Sequence, residues 1–166
     1  MAIFARQILI TERLIVSNYA NYPQNIYDRI RTLILADYPQ VHISNRRIFD
    51  EDGKVISDAL GKHNRGIGFW LINDDFDGEG ANANDRIYPF EVEVAVKDID
   101  EDQNQIMDMV ERIKFACEDN KHDSSNNWYR NEVSSVEYFD PDPNEPNIKK
   151  AIMLIRFWRE YVIDTS

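Results

Sequence analysis

Residues 86–97 read Arg-Ile-Tyr-Pro-Phe-Glu-Val-Glu-Val-Ala-Val-Lys, and this run decides the fold. Phe90, Val92, Val94 and Val96 recur at every second position, with Glu91, Glu93 and Lys97 on the alternate side. That is the period of a strand with one face in a core. Asp98-Ile-Asp-Glu101 follows directly. It has a capping-box pattern, and its acidic residues suit the positive end of a helix. Beyond it Ile106, Val110, Ile113 and Cys117 recur at steps of four, three and four. This spacing predicts a helix to about Glu118 with one buried stripe.

Towards the N-terminus, residues 22–36 form a second amphipathic pattern. Pro23 sits where a first helical turn tolerates a missing N–H, and Ile26, Ile30, Leu33 and Ile34 share a face. Tyr38-Pro39 stops it, because a residue before proline avoids the helical region. Arg47-Ile-Phe49 and Lys54-Val-Ile56 flank Asp50-Glu-Asp-Gly53, a small hairpin in which Gly53 supplies the positive φ. Ser57–Arg65 is polar and reads as a mobile loop. Ile67–Asn73 reads as a strand with large residues on both faces, which predicts cover on both. Asp74–Asp85 is a long loop rich in Asp, Asn and Gly. Residues 3–16 hold two apolar knots, Ile8–Ile10 and Leu14–Val16, and fit a strand and an extended arm equally.

Towards the C-terminus, Asn120–Asn127 is a polar linker. Trp128–Phe139 and Lys149–Ile163 are the last two strands. Their connection, Asp140–Asn147, holds three prolines that deny it sheet pairing. The expectation is one α+β domain over 1–166. Residues 1–20 are its arm or strand, and 22–163 are its core. That core is a mixed or antiparallel sheet of about four main strands on two helices, with long acidic loops.

The net charge is −11, from 19 basic and 30 acidic residues. A protein that grips nucleic acid by its phosphates needs the opposite balance, whereas an acidic wall lets DNA pass without sticking. Cys117 is the only cysteine, so no intrachain disulfide forms. The N-terminus lacks the pattern of a signal peptide, and the apolar runs fall short of a membrane span.

Motifs of catalysis and cofactor binding are absent. His42, His63 and His122 are far apart and read as surface residues. Gly66-Ile-Gly68 lacks the third glycine of a dinucleotide loop. Asn73-Asp-Asp-Phe-Asp-Gly78 opens like a calcium loop, but Asn84 stands where a bidentate glutamate is needed. Asp98, Asp100 and Asp102 alternate as well, but helix capping accounts for them. The expectation is therefore no cofactor, no metal site and no catalytic residue.

The closing strand carries apolar residues on both faces: Ala151, Met153, Ile155 and Phe157 against Ile152, Leu154 and Trp158. Either the strand is central and covered twice, or one face meets a neighbouring subunit. In the second case Arg156, Trp158, Arg159 and Tyr161 are the candidate anchors.

The order helix, strand-rich segment, helix, strand pair resembles the phage tail terminator, or tail completion, family. The residues that carry the likeness are Ile26-Tyr-Asp-Arg-Ile-Arg-Thr-Leu-Ile34, Tyr88-Pro-Phe-Glu-Val-Glu-Val-Ala-Val96 with the capped helix behind it, and Lys150-Ala-Ile-Met-Leu-Ile-Arg-Phe157. The chain departs from the family's pattern by inserts at 50–66, 74–86 and 140–147. The resemblance implies a non-enzymatic virion protein of the tail and neck, assembled in the host cytoplasm. Its copies would form a ring, a hexamer in the family, that caps the tail tube and joins it to the head–tail connector protein. Its other partners would be the tail tube protein, a sheath protein in a contractile tail, and DNA by passage through the bore. The candidate bore-facing acids are Asp74, Asp75, Asp77, Glu79, Asp140, Asp142 and Glu145. Another neck or connector subunit is the alternative, and a small acidic metal-binding or enzymatic domain is the remaining class.

Overall fold

The computed structural model describes residues 22–73, 85–97 and 104–160. Helix α1 spans Tyr22–Asp37, strand β1 His42–Ser44, β2 Arg65–Leu71 and β3 Asp85–Lys97. Helix α2 spans Asn104–Asp119, followed by β4 Arg130–Phe139 and β5 Ile148–Glu160. The sheet order is β1-β2-β3-β5-β4. β1 runs parallel to β2, and every other pairing is antiparallel. The fold is α+β as expected, and the strand beyond the expected four is the three-residue β1. The capping pattern at 98–101 and the arm at 3–16 lie outside the described residues.

The strand period and the helical stripes meet in one core. Tyr88, Phe90, Val92, Val94 and Val96 of β3 and Ala151, Met153, Ile155 and Phe157 of β5 pack under the helices. From above come Ile26, Ile30 and Ile34 of α1 and Ile106, Val110, Ile113 and Cys117 of α2, all buried. Edge-to-face aromatic contacts cross the sheet from Tyr27 to Phe69, Phe90, Phe157 and Trp128, with centroids 6.4, 6.2, 5.6 and 4.9 Å apart. This geometry suits ring quadrupoles and locks the helix layer in register with the strands. The thiol of Cys117 lies within this layer, and burial pushes its pKa up to about 12.

The polar linker after α2 proves highly organised. Trp128 donates its Nε1–H to the carbonyl of Asn120 at 2.8 Å. Asn131 Nδ2 donates to Cys117 O at 2.9 Å and Asn120 O at 3.0 Å. These bonds occupy carbonyls that a helix end leaves without partners. Asp123 is fully buried; it accepts from Arg29 Nε at 2.9 Å, Asn127 N at 3.1 Å and Asn127 Nδ2 at 2.8 Å. Burial alone would raise its pKa, but the Arg29 bond and the Asn127 amides outweigh burial and lower it.

A carboxylate with a depressed folded pKa stabilises the fold above its ordinary pKa, and the benefit is lost as pH falls through the folded value. Asp123→Asn is therefore expected to cost about 1–3 kcal/mol at pH 7. The gap to the wild type should shrink steadily below about pH 4. Urea titrations at both pH values check this; an equal gap at both would refute the charge argument.

The second face of the sheet is organised by the segment between β1 and β2. Gly66 and Gly68 lie on that face, and an added Cβ would stand 2.5 Å from Ala59 O and 2.5 Å from Arg46 O. These two glycines thus admit passing backbone, not a phosphate. The expected hairpin is present: Phe49 bridges Val55, and Gly53 has φ 76°. Asp50 Oδ1 accepts from the N–H groups of Asp52 and Lys54 at 2.9 and 2.8 Å. Under it Ile48, Phe49 and Ala95 form a small second core, with Leu60, Ile148 and Ile152 packed against it. Ser57–Arg65, read as a mobile loop, contains tight turns and a short 3-10 helix at Gly61–His63, with Asp58 and Asn64 at φ 67° and 59°.

Candidate functional site

One half of the second face lies beyond the hairpin. Its rows run across β2, β3, β5 and β4. Trp70 stands beside Glu91, Leu154 and Ser135; Pro89 stands beside Arg156 and Glu132. Trp70 is 40% exposed and Ile72 45% exposed. Both-sided cover for the 67–73 strand was expected, and the structure corrects this. The hairpin segment reaches Gly66 and Gly68 but stops short of Trp70, because only those two positions lack a Cβ to hold it off.

Between covered and open halves lies a carboxylate pair. Glu93 is fully buried and accepts from Ile48 N at 2.6 Å, Phe49 N at 2.9 Å and Arg47 Nε at 3.0 Å. Glu91, on the same face, is 3.9 Å from the Arg47 guanidinium. Burial raises the Glu91 pKa first and the Glu93 charge raises it further, while Arg47 pulls it down; the net shift is upward. A carboxyl raised in the folded state favours folding at low pH, and that benefit is lost as pH rises through its folded value. Glu91→Gln is thus expected to raise the melting temperature at about pH 8 and to change it little near pH 4. Thermal scans at the two pH values check the sign.

The sheet ends on β4, whose hydrogen-bonding partner among the described residues is β5 alone. The opposite edge, β1, is three residues long, whereas β4 is ten. A register shift between Val133 and Ser135 bulges the strand. The bulge reverses its side-chain phase, so Asn131 and Val133 before it and Val136 after it all face the helix layer. At the start and end of β4, Tyr129 is 37%, Tyr138 46% and Phe139 39% exposed. A cleft of ≈ 390 Å³ runs between β4 and α2, lined by Asn131–Val136 with Lys114, Glu118 and Lys121. Phe115, on α2, is 62% exposed.

The candidate anchors on the closing strand divide between the faces. Arg156 is on the open face opposite Glu132. Trp158 shares that face but is 8% exposed, with the Arg130 guanidinium 4.4 Å from its ring centroid, so it is largely satisfied within one chain. Arg159 turns to the helix side and stacks on Tyr22 at 3.6 Å. Strand alternation therefore places the two arginines on opposite faces, and they form no single patch. Tyr161 lies outside the described residues.

Of the acidic candidates, Asp74, Asp75, Asp77 and Glu79 also lie outside the described residues. Asp140 is exposed; Asp142 and Glu145 are half-buried. Asp142 Oδ1 accepts from Asn144 N at 2.9 Å, and Glu145 N donates to Asp142 O at 2.9 Å, so these acids shape their own loop. His42, His63 and His122 are exposed on separate elements. Among the described residues no three His, Cys, Asp or Glu converge to hold a metal ion. No described helix is long and apolar enough to cross a membrane.

The β4 edge and its cleft went unseen in the sequence. Strand order is a tertiary property, and the available hint was the three-residue spacing of Val133 and Val136, which one flat strand cannot bury on one side. Matches to known proteins add nothing to this geometry: no protein-family model fits the chain, and no curated protein matches it.

Proposed function

We propose that this chain is a self-assembling structural subunit, one of a ring of copies that caps a phage tail tube, ends its polymerisation and joins the tail to the head connector. The observation that carries the reading is the ten-residue edge of β4, which pairs on one side only among the described residues and is flanked by exposed Tyr129, Tyr138 and Phe139. A long edge strand with unpaired backbone groups is a template for another chain, and natural proteins cover it or make use of it. The half-open face with Trp70, Leu154 and Arg156 adds an apolar and charged surface of the composition found at subunit contacts. Contact between two different surfaces generates a ring when the rotation closes. The element order is the one on which the family likeness was drawn, and the acidic balance of −11 suits a bore through which DNA slides.

Light scattering and negative-stain imaging, with and without purified tail tube, test the reading. Rings, or particles at tube ends that fix tube length, are expected. A monomer at every concentration with no effect on tubes would count decisively against it. Class averages with a symmetry above six would move the protein to the head side of the neck.

A further inference from the structure

We infer that the cavity between Tyr22, Trp128 and Arg159 is a binding site for a small aromatic carboxylate, held by the Arg159 guanidinium. The site lies within one chain and needs no second copy.

Four observations carry it. The cavity has a volume of ≈ 380 Å³, at the small end of the range for ligand sites, which suits a single ring with one charged group. Tyr22, Trp128 and Tyr129 supply aromatic wall, and His122 and Asn126 stand beside them as polar groups.

Arg159, which also lines the cavity, is the second observation. It is half-buried and stacks on the Tyr22 ring at 3.6 Å. Its Nη1 is out of water and has no hydrogen-bond acceptor among the described residues. Buried polar atoms are nearly always hydrogen-bonded, and leaving a guanidinium donor without an acceptor costs free energy that an entering carboxylate recovers.

The third is local charge. Arg86 stands directly opposite Arg159 across β3 and β5, on the same side of the sheet. Positive charge is thus concentrated at one end of a chain whose net charge is −11.

The fourth is that the wall is built before any ligand arrives. Asn126 N donates to Asp123 O at 3.0 Å, and Tyr129 N donates to Trp158 O at 2.9 Å. Trp128 is fixed by its bond to Asn120 O, and Asp123 ties the same loop to Arg29. A preformed wall spares the ligand the cost of ordering a loop.

The chemistry of the walls selects the ligand. The planar fork of arginine matches a carboxylate through two parallel bonds. Glu160 lines the cavity as well and is exposed. Its charge favours a ligand with one negative charge over the double charge of a phosphate.

The test uses the full chain at fixed ionic strength, with thermal unfolding followed as benzoate, uncharged benzamide, ringless acetate and phenyl phosphate are each titrated. A ligand that binds only the folded state raises the melting temperature in proportion to its occupancy. Benzoate is expected to give a saturable rise and benzamide none. Acetate should bind about tenfold more weakly than benzoate, since it buries no ring. Phenyl phosphate should bind more weakly too, and tighter binding would overturn the carboxylate assignment. Arg159→Lys should weaken benzoate about tenfold, because an ammonium lacks the fork. Glu160→Gln should tighten it about threefold by removing a like charge from the wall. No saturable rise with benzoate, or equal rises with benzamide or acetate, would overturn the inference. So would an unchanged benzoate affinity in Arg159→Lys. Where that variant fails to fold, Glu160→Gln decides: an unchanged or weaker affinity in it overturns the site.

Discussion

Replacing Glu93 with alanine is expected to lower the unfolding free energy by about 3–5 kcal/mol, the cost of leaving two buried backbone donors without an acceptor at about 1–3 kcal/mol each, with the Arg47 bond lost as well. The side chain is fully buried and receives three donors, the N–H groups of Ile48 and Phe49 and the Arg47 guanidinium. Removing it leaves two backbone donors beneath the hairpin without an acceptor, and buried N–H groups are rarely left so. Arg47 is half-exposed and can turn to water, so most of the loss belongs to the amides. Glu93→Gln retains an acceptor and should lose less than the alanine variant. Urea unfolding at pH 7 measures both. A loss under about 1 kcal/mol for the alanine variant would show that water replaces the carboxylate, and the hairpin anchor would have to be sought elsewhere.

The second large effect is expected at Gly68. A methyl there would stand 2.5 Å from Arg46 O, 3.0 Å from Ile48 Cγ2 and 3.2 Å from Ile48 N, so the backbone of the covering segment must lift. The same lift strains the bonds that Glu93 makes to Ile48 and Phe49, because Gly68 and Glu93 are cross-strand neighbours. Gly68→Ala is expected to cost about 3 kcal/mol, at the upper end of ordinary overpacking. Guanidinium midpoints measure it. Paired with Glu93→Ala the two losses should fall short of their sum, since each releases the same segment. Full additivity would mean that the hairpin is held independently at the two points.

These two positions also mark the limit of what the chain discloses in one dimension. Gly66-Ile-Gly68 was readable as an incomplete phosphate loop, and Glu93 as a solvent-facing residue alternating with core valines. Both belong to one buried contact, Gly68 against the backbone of Arg46 and Ile48, and Glu93 against Arg47, Ile48 and Phe49, the last three 46, 45 and 44 positions away in the chain. Asp123 sat in a linker that looked merely polar, yet it is a buried anchor for Arg29, 94 residues earlier. A polar residue's partner is set by chain-distant geometry, so neither spacing nor composition announces it.

The candidate surface divides in the same way. Trp158 and Arg159 are adjacent in the chain and share the role of candidate anchor in the sequence, but strand alternation turns them to opposite faces. The β4 edge depends on β5 inserting between β3 and β4, an order that no local pattern encodes.

The period of two in Phe90–Val96 and the four-three-four steps of Ile106–Cys117 determined that this protein is a sheet under two helices, because each element must bury its apolar side. Length and the acidic balance support only the expectations of one domain and of a chain unsuited to gripping phosphates. Tertiary structure alone decided which strand lies at the rim, where backbone passes close enough to require glycine, and which carboxylates are buried with partners. Those outcomes follow from how layers stack in three dimensions, whereas periodicity reports only which side of each layer avoids water.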